Sequence, residues 1–85
     1  MGIAKEIYEA DGVFRGSKEV FVIMDDDSLS YKTYIGEKVF EEENPVLVQC
    51  GKGQRIEYGR GTIRSSTPFR NYSDGEIDKR WTKIL

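Results

Sequence analysis

From residue 19 onward, apolar and polar positions follow a short period along most of the chain. Residues 19–24 (Glu-Val-Phe-Val-Ile-Met) form a β-branched and aromatic run between Arg15-Gly16-Ser17 and Asp25-Asp26-Asp27. Both faces of that run are apolar, which predicts a central strand covered on each side. Leu29, Tyr31, Thr33 and Ile35 alternate with Ser30, Lys32 and Tyr34, the pattern of a half-buried strand. The polar residues 25–28 between the two runs make a tight connection and predict a hairpin. Val39-Phe40 and the acidic Glu41-Glu42-Glu43 follow, until Asn44-Pro45 breaks the run. Val46–Cys50 reads as the next strand, Gly51-Lys52-Gly53-Gln54 as a turn and 55–58 as the returning strand. Thr62-Ile63-Arg64 is a further short strand after Gly59-Arg60-Gly61.

Two segments carry the helical period instead. Ile3, Ala4, Ile7 and Tyr8 fall on one helical face, whereas a strand would group Ile3, Lys5, Ile7 and Glu9, a poor face. The spacing predicts a short helix ending at Gly12, although Asp11-Gly12 is also a hairpin dipeptide. At the C-terminus Ser73-Asp74-Gly75-Glu76 fits a capping box, with Ser73 as N-cap and Glu76 at N3. Ile77, Trp81, Ile84 and Leu85 then recur at i, i+4, i+7 and i+8, with acid in the first turn and base (Lys79, Arg80, Lys83) towards the end. A helix of about a dozen residues is marginal alone in water, so its apolar stripe must dock, and a sheet face is the natural dock. The expected architecture is therefore α+β: a small, mostly antiparallel sheet of four to six short strands with a C-terminal helix packed on one face. A partly open small β-barrel is the alternative.

Length changes this picture only by bounding it. Eighty-five residues make one compact domain, 1–85, with a small core. Ten aromatic residues spread along the chain argue against disorder, and no apolar run approaches the ~20 residues of a membrane-spanning helix. There is no histidine, which removes the commonest general base and metal ligand. A single cysteine, Cys50, excludes an intramolecular disulfide and a thiolate zinc cluster. Cys50 ends an apolar strand and reads as a small buried residue. A domain of this size without bridges, opening on no basic-then-apolar leader, is expected to be soluble and cytoplasmic.

Charge is divided unevenly. Residues 1–43 carry −6 and residues 44–85 carry +4, for the net −2. Between 51 and 70 lie Lys52, Arg55, Arg60, Arg64 and Arg70 against a single Glu57. Tyr58, Phe69 and Tyr72 are interleaved with them, a combination suited to phosphate contacts and base stacking. Solvated charge on a β-surface explains the same run, and alternation places Arg55 and Glu57 on one face. Gly51-Lys52-Gly53 and Gly59-Arg60-Gly61 each start a G-x-G, but neither completes a phosphate-binding loop. Asp25-Asp26-Asp27-Ser28 fails the EF-hand spacing at Leu29 and reads as an acidic turn.

No spacing proposes catalysis, and no metal or cofactor is expected. The expected function is a non-catalytic protein–protein interaction module, an inhibitor, adaptor or assembly subunit, whose partner is another protein or a second copy. Tyr58, Phe69 and Tyr72 are its aromatic partner-binding candidates. The alternative is an anion-binding module, for nucleic acid or a nucleotide phosphate, built on Lys52, Arg55, Arg60, Arg64 and Arg70. No membrane partner is expected.

Overall fold

In the computed structural model, which describes residues 2–51, 53–71 and 75–85, the chain runs through eight strands. They are β1 (Ala4–Asp11), β2 (Ser17–Met24), β3 (Leu29–Ile35), β4 (Lys38–Glu41), β5 (Val46–Cys50), β6 (Gly53–Arg60), β7 (Ile63–Asn71) and β8 (Thr82–Lys83). Two antiparallel sheets result, one in the order β4-β3-β2-β1-β8 and one in the order β5-β6-β7. Alternation along each strand decides what faces the space between them. Phe21 stands opposite Tyr31 and Tyr8, and Ile23 opposite Leu29, on the inner face of the larger sheet. Ile56 and Thr67 stand opposite each other on the inner face of the smaller one.

The core is built mainly of rings. Tyr8, Phe21, Tyr31, Ile56 and Phe69 are completely enclosed, with Ala10, Ile23 and Trp81 beside them. Tyr8 and Phe69 meet edge-to-face at 4.9 Å, Phe21 and Phe69 at 5.1 Å, and Tyr31 and Tyr58 at 4.8 Å. Such pairs add roughly 0.5–1.5 kcal/mol each beyond the area they bury, which matters in a chain with so little interior.

Two segments stitch the sheets together. After β4, the Glu42 amide donates to the Tyr31 carbonyl (2.8 Å), while the Glu43 carbonyl accepts from the Gly59 amide (2.7 Å). Consecutive residues are thus bonded to opposite sheets, and Asn44 (φ 49°) with Pro45 turns the chain into β5. On the other side Ile77 bridges Arg70 of β7, and the Asp78 amide donates to the Phe69 carbonyl (2.8 Å). The chain then reaches β1, where Thr82 and Lys83 pair with Glu9 and Tyr8.

The α+β expectation is overturned at both termini, because no described residue is helical. At the C-terminus the tail covers the core without coiling. Its backbone bonds to β7 and then to the free edge of β1, which satisfies groups that an isolated helix of this length holds only weakly. Gly75 takes φ +71°, and a turn closed by Trp81 N–H to the Asp78 carbonyl (2.9 Å) aims both Ile77 and Trp81 inward. Four-residue spacing across that turn imitates a helical stripe. Ser73 and Asp74, half of the expected capping box, lie outside the described residues. At the N-terminus the poor strand face, with Lys5, Ile7 and Glu9, is the one turned outward, while Glu6, Tyr8 and Ala10 turn inward.

β2 is central in its sheet, but only its inner face is covered by the other. Val20, Val22 and Met24 on the outer face are half-buried, with Val20 standing between Glu9 and Lys32. Cys50 is exposed rather than buried, since β5 is an edge strand and Cys50 closes it against Gly53 at the turn.

Candidate functional site at the open end of the sandwich

The inner face of the larger sheet continues past its aromatic rows. Beyond Phe21 and Tyr31 come Glu19 opposite Thr33, then Ser17 opposite Ile35, and β4 sets Phe40 opposite Thr33. These rows, with Tyr58 of β6 at one end, line an open groove of about 440 Å³. Its remaining wall is the β1–β2 loop, residues 12–16, which carries Val13 and Phe14 at 88% and 68% exposure. That loop is held closed by Gly12 N–H to the Ser17 carbonyl (2.9 Å), and by the Ser17 amide (3.0 Å) and hydroxyl (2.6 Å) on the Phe14 carbonyl. A β-carbon on Gly12 would lie 2.0 Å from Ser17 Oγ, so only glycine lets the loop close this tightly.

The floor is polar, and its carboxylate is fully engaged. Glu19 is buried, and its carboxylate accepts from the Tyr31 hydroxyl and from Arg80 Nη2. Arg80 comes from the C-terminal tail, sixty-one residues away, and its guanidinium lies 5.0 Å from the centre of the Trp81 ring. Arg80 Nη1 is enclosed and has no hydrogen-bond partner among the described residues. Burial, then the hydrogen bond and charge of Glu19, pushes the Tyr31 phenol far above its ordinary range. Burial, then the charges of Glu42 and Glu19, raises Tyr58 as well. Both phenols therefore stay protonated at physiological pH, and Tyr31 is the donor to Glu19.

Glu42 differs from Glu19. It is half-buried on the groove wall, and the Thr33 hydroxyl donates to it at 3.5 Å. Among the described residues it forms no ion pair, whereas the neighbouring Glu43 is gripped by Arg60 through two 2.9 Å bonds.

The basic residues singled out by the sequence lie elsewhere and apart. Arg55 and Arg64 are on the outer face of the smaller sheet. Arg55 donates to Ser66 Oγ (3.1 Å), and Arg64 to the carbonyls of Gly59 and Asn44 (3.1 Å each), with Glu57 3.8 Å away. Arg60 holds Glu43 near the hairpin tip. Arg70 bonds Gln54 (3.3 Å) and the Gly75 carbonyl (3.2 Å) and stacks 5.4 Å from Phe69. Each of these four is thus engaged within the chain. Lys52 and Tyr72 lie outside the described residues. Phe69 is completely enclosed, and Tyr58 is half-buried at the groove end.

Phe14, Phe40, Glu19, Glu42 and Arg80 are not among the residues that the sequence singles out. One signal is nonetheless present: Glu19 is in phase with Phe21 and Ile23, so a carboxylate occupies an inward position. Phe14 and Phe40 give no such sign, because their exposure depends on how the two sheets pack.

Among the described residues no group of histidine, cysteine, aspartate or glutamate is arranged to hold a metal ion, and no helix is long and apolar enough to cross a membrane. Comparison with protein-family models, with curated proteins and with solved structures finds no match for the chain.

Proposed function

We propose that the chain is a non-catalytic protein–protein interaction module and that the groove at the open end of the sandwich is its partner surface. The observation that carries this is the division of the phenylalanines. The chain has four; Phe21 and Phe69 are fully enclosed, whereas Phe14 and Phe40 are 68% and 48% exposed on the same groove. A chain with so small an interior gains about 25 cal/mol for each Å² of apolar surface it hides, so two phenylalanines left together outside mark a surface meant to be covered. Val13 and Ile35 extend the apolar lining, and Glu19 with Tyr31 gives it a rigid base. The floor carboxylate is engaged by Arg80, and the Tyr58 phenol is held in its neutral form, which suits recognition better than proton transfer.

The test is affinity capture on the immobilised chain from nuclease-treated lysate of the native host, with light scattering of the free chain beside it. A Phe14→Ser/Phe40→Ser variant should melt at the native temperature and lose one stoichiometric species that the native chain retains. Equal capture by the variant, or a strictly monomeric native chain that retains nothing, overturns the proposal.

A further inference from the structure

The charged groups that line the groove are all of one sign. Glu19 and Glu42 contribute carboxylates, and no lysine or arginine is among the lining residues. Glu19 is neutralised from beneath by Arg80, but Glu42 has only the Thr33 hydroxyl, and no described cation reaches it. Arg15, beside Phe14, and Lys38, opposite Ile35, form no ion pair with it either.

Any partner that covers Phe14 and Phe40 also covers Glu42. A purely apolar segment would seal that carboxylate away from water with no counter-charge, which is strongly unfavourable. An acidic or phosphorylated segment would add like-charge repulsion. A cationic side chain removes both penalties; its aliphatic stem fits the walls formed by Ile35, Phe40 and Tyr58, and the Phe40 and Tyr58 rings also favour a cation.

Resting on the reading of the groove as a partner surface, we propose that it receives a lysine or arginine side chain of a partner protein, set between apolar neighbours, with Glu42 as its counter-ion. Glu42 then acts as a selector, rejecting segments that bring hydrophobicity without positive charge.

The experiment is an amide-resolved NMR titration of the native chain and of Glu42→Gln. The probes are three capped tripeptides at millimolar concentration, acetyl-Leu-X-Leu-amide with X as arginine, its neutral isostere citrulline, or glutamate. The arginine peptide should move the amides of Phe14, Thr33, Phe40 and Glu42 and bind the native chain about fivefold more tightly than the citrulline peptide. In Glu42→Gln that preference should vanish while the spectrum stays folded. Equal binding of the arginine and citrulline peptides, or a full preference surviving in Glu42→Gln, overturns the counter-ion role and leaves the groove as a partner surface. If no groove amide responds to any of the three, the partner-surface reading fails with it.

Discussion

Replacing Arg80 by methionine keeps most of the side-chain volume over Trp81 but withdraws the cation from Glu19. The Glu19 side chain is 8% exposed and that of Arg80 25%. Removing one member of a fully buried pair costs about 3–5 kcal/mol, because the other charge is left without compensation. Here a quarter of Arg80 already meets solvent and Tyr31 still donates to Glu19, so the cost falls at or below that lower end, about 2–3 kcal/mol. For a domain of this size that lowers the melting temperature by roughly 10–20 °C and removes a large part of a total stability of ~5 kcal/mol. Urea unfolding followed by the fluorescence of the single tryptophan, Trp81, reads it directly. The midpoint should fall while the dependence on urea keeps its slope. The decisive arm is the double variant Glu19→Gln/Arg80→Met, in which neither charge remains and the Tyr31 hydroxyl keeps an acceptor. It should lie within ~1 kcal/mol of the native chain, well short of the two single changes added together. An Arg80→Met chain that unfolds at the native urea midpoint refutes the account of the floor, and so does a double variant as damaged as the two single changes added together.

Two further outcomes follow from other parts of the molecule. Gly59 sits at φ +130°, and a β-carbon there would lie 2.5 Å from the Ile63 carbonyl oxygen, so Gly59→Ala should cost about 2 kcal/mol or more; an unchanged urea midpoint would show that the β6–β7 hairpin yields freely. Burial, aided by Glu6, raises the Tyr8 phenol from 10.0 to about 12, and Tyr31 and Tyr58 are pushed the same way. The unfolded chain releases these protons near pH 10, before the folded one does. Stability should therefore be level with respect to these groups below that pH and fall as pH climbs from about 10 towards 12. Urea midpoints taken alongside tyrosinate absorbance check it, and an undiminished midpoint at about pH 11 contradicts it.

Much of the fold is legible wherever a strand has one wet face. Leu29, Tyr31, Thr33 and Ile35 alternate cleanly, the acidic residues 25–28 can only be a connection, and β3 is observed where that pattern places it. The termini are not legible, because their period is ambiguous at short range. Tyr8 and Ala10 alone mark the inner face of β1, and Glu6 beside them looks misplaced until the Tyr8 hydroxyl is seen donating to it. The tail misleads through a tertiary effect: its backbone finds partners on β7 and β1, which no local propensity anticipates. The groove is the least legible part. Whether Phe40 is core or surface depends on how the two sheets pack, and Glu19 meets Arg80 only because the tail returns to β2. Arg55, Arg60, Arg64 and Arg70 illustrate the converse, since their density in sequence is dispersed by pairing across β6 and β7 into separate contacts with Ser66, Glu43, Asn44 and Gln54.

The enclosed aromatic centre and the open rim of the groove separate two kinds of selection on a very short chain. Positions beneath β6 and β7 are locked together by ring packing and can change only in concert. Val13, Phe14 and Phe40, exposed at the rim, can be exchanged singly without loosening the frame. Descendants of this sequence are free to acquire new affinities by drifting at that rim while the aromatic centre stays as it is.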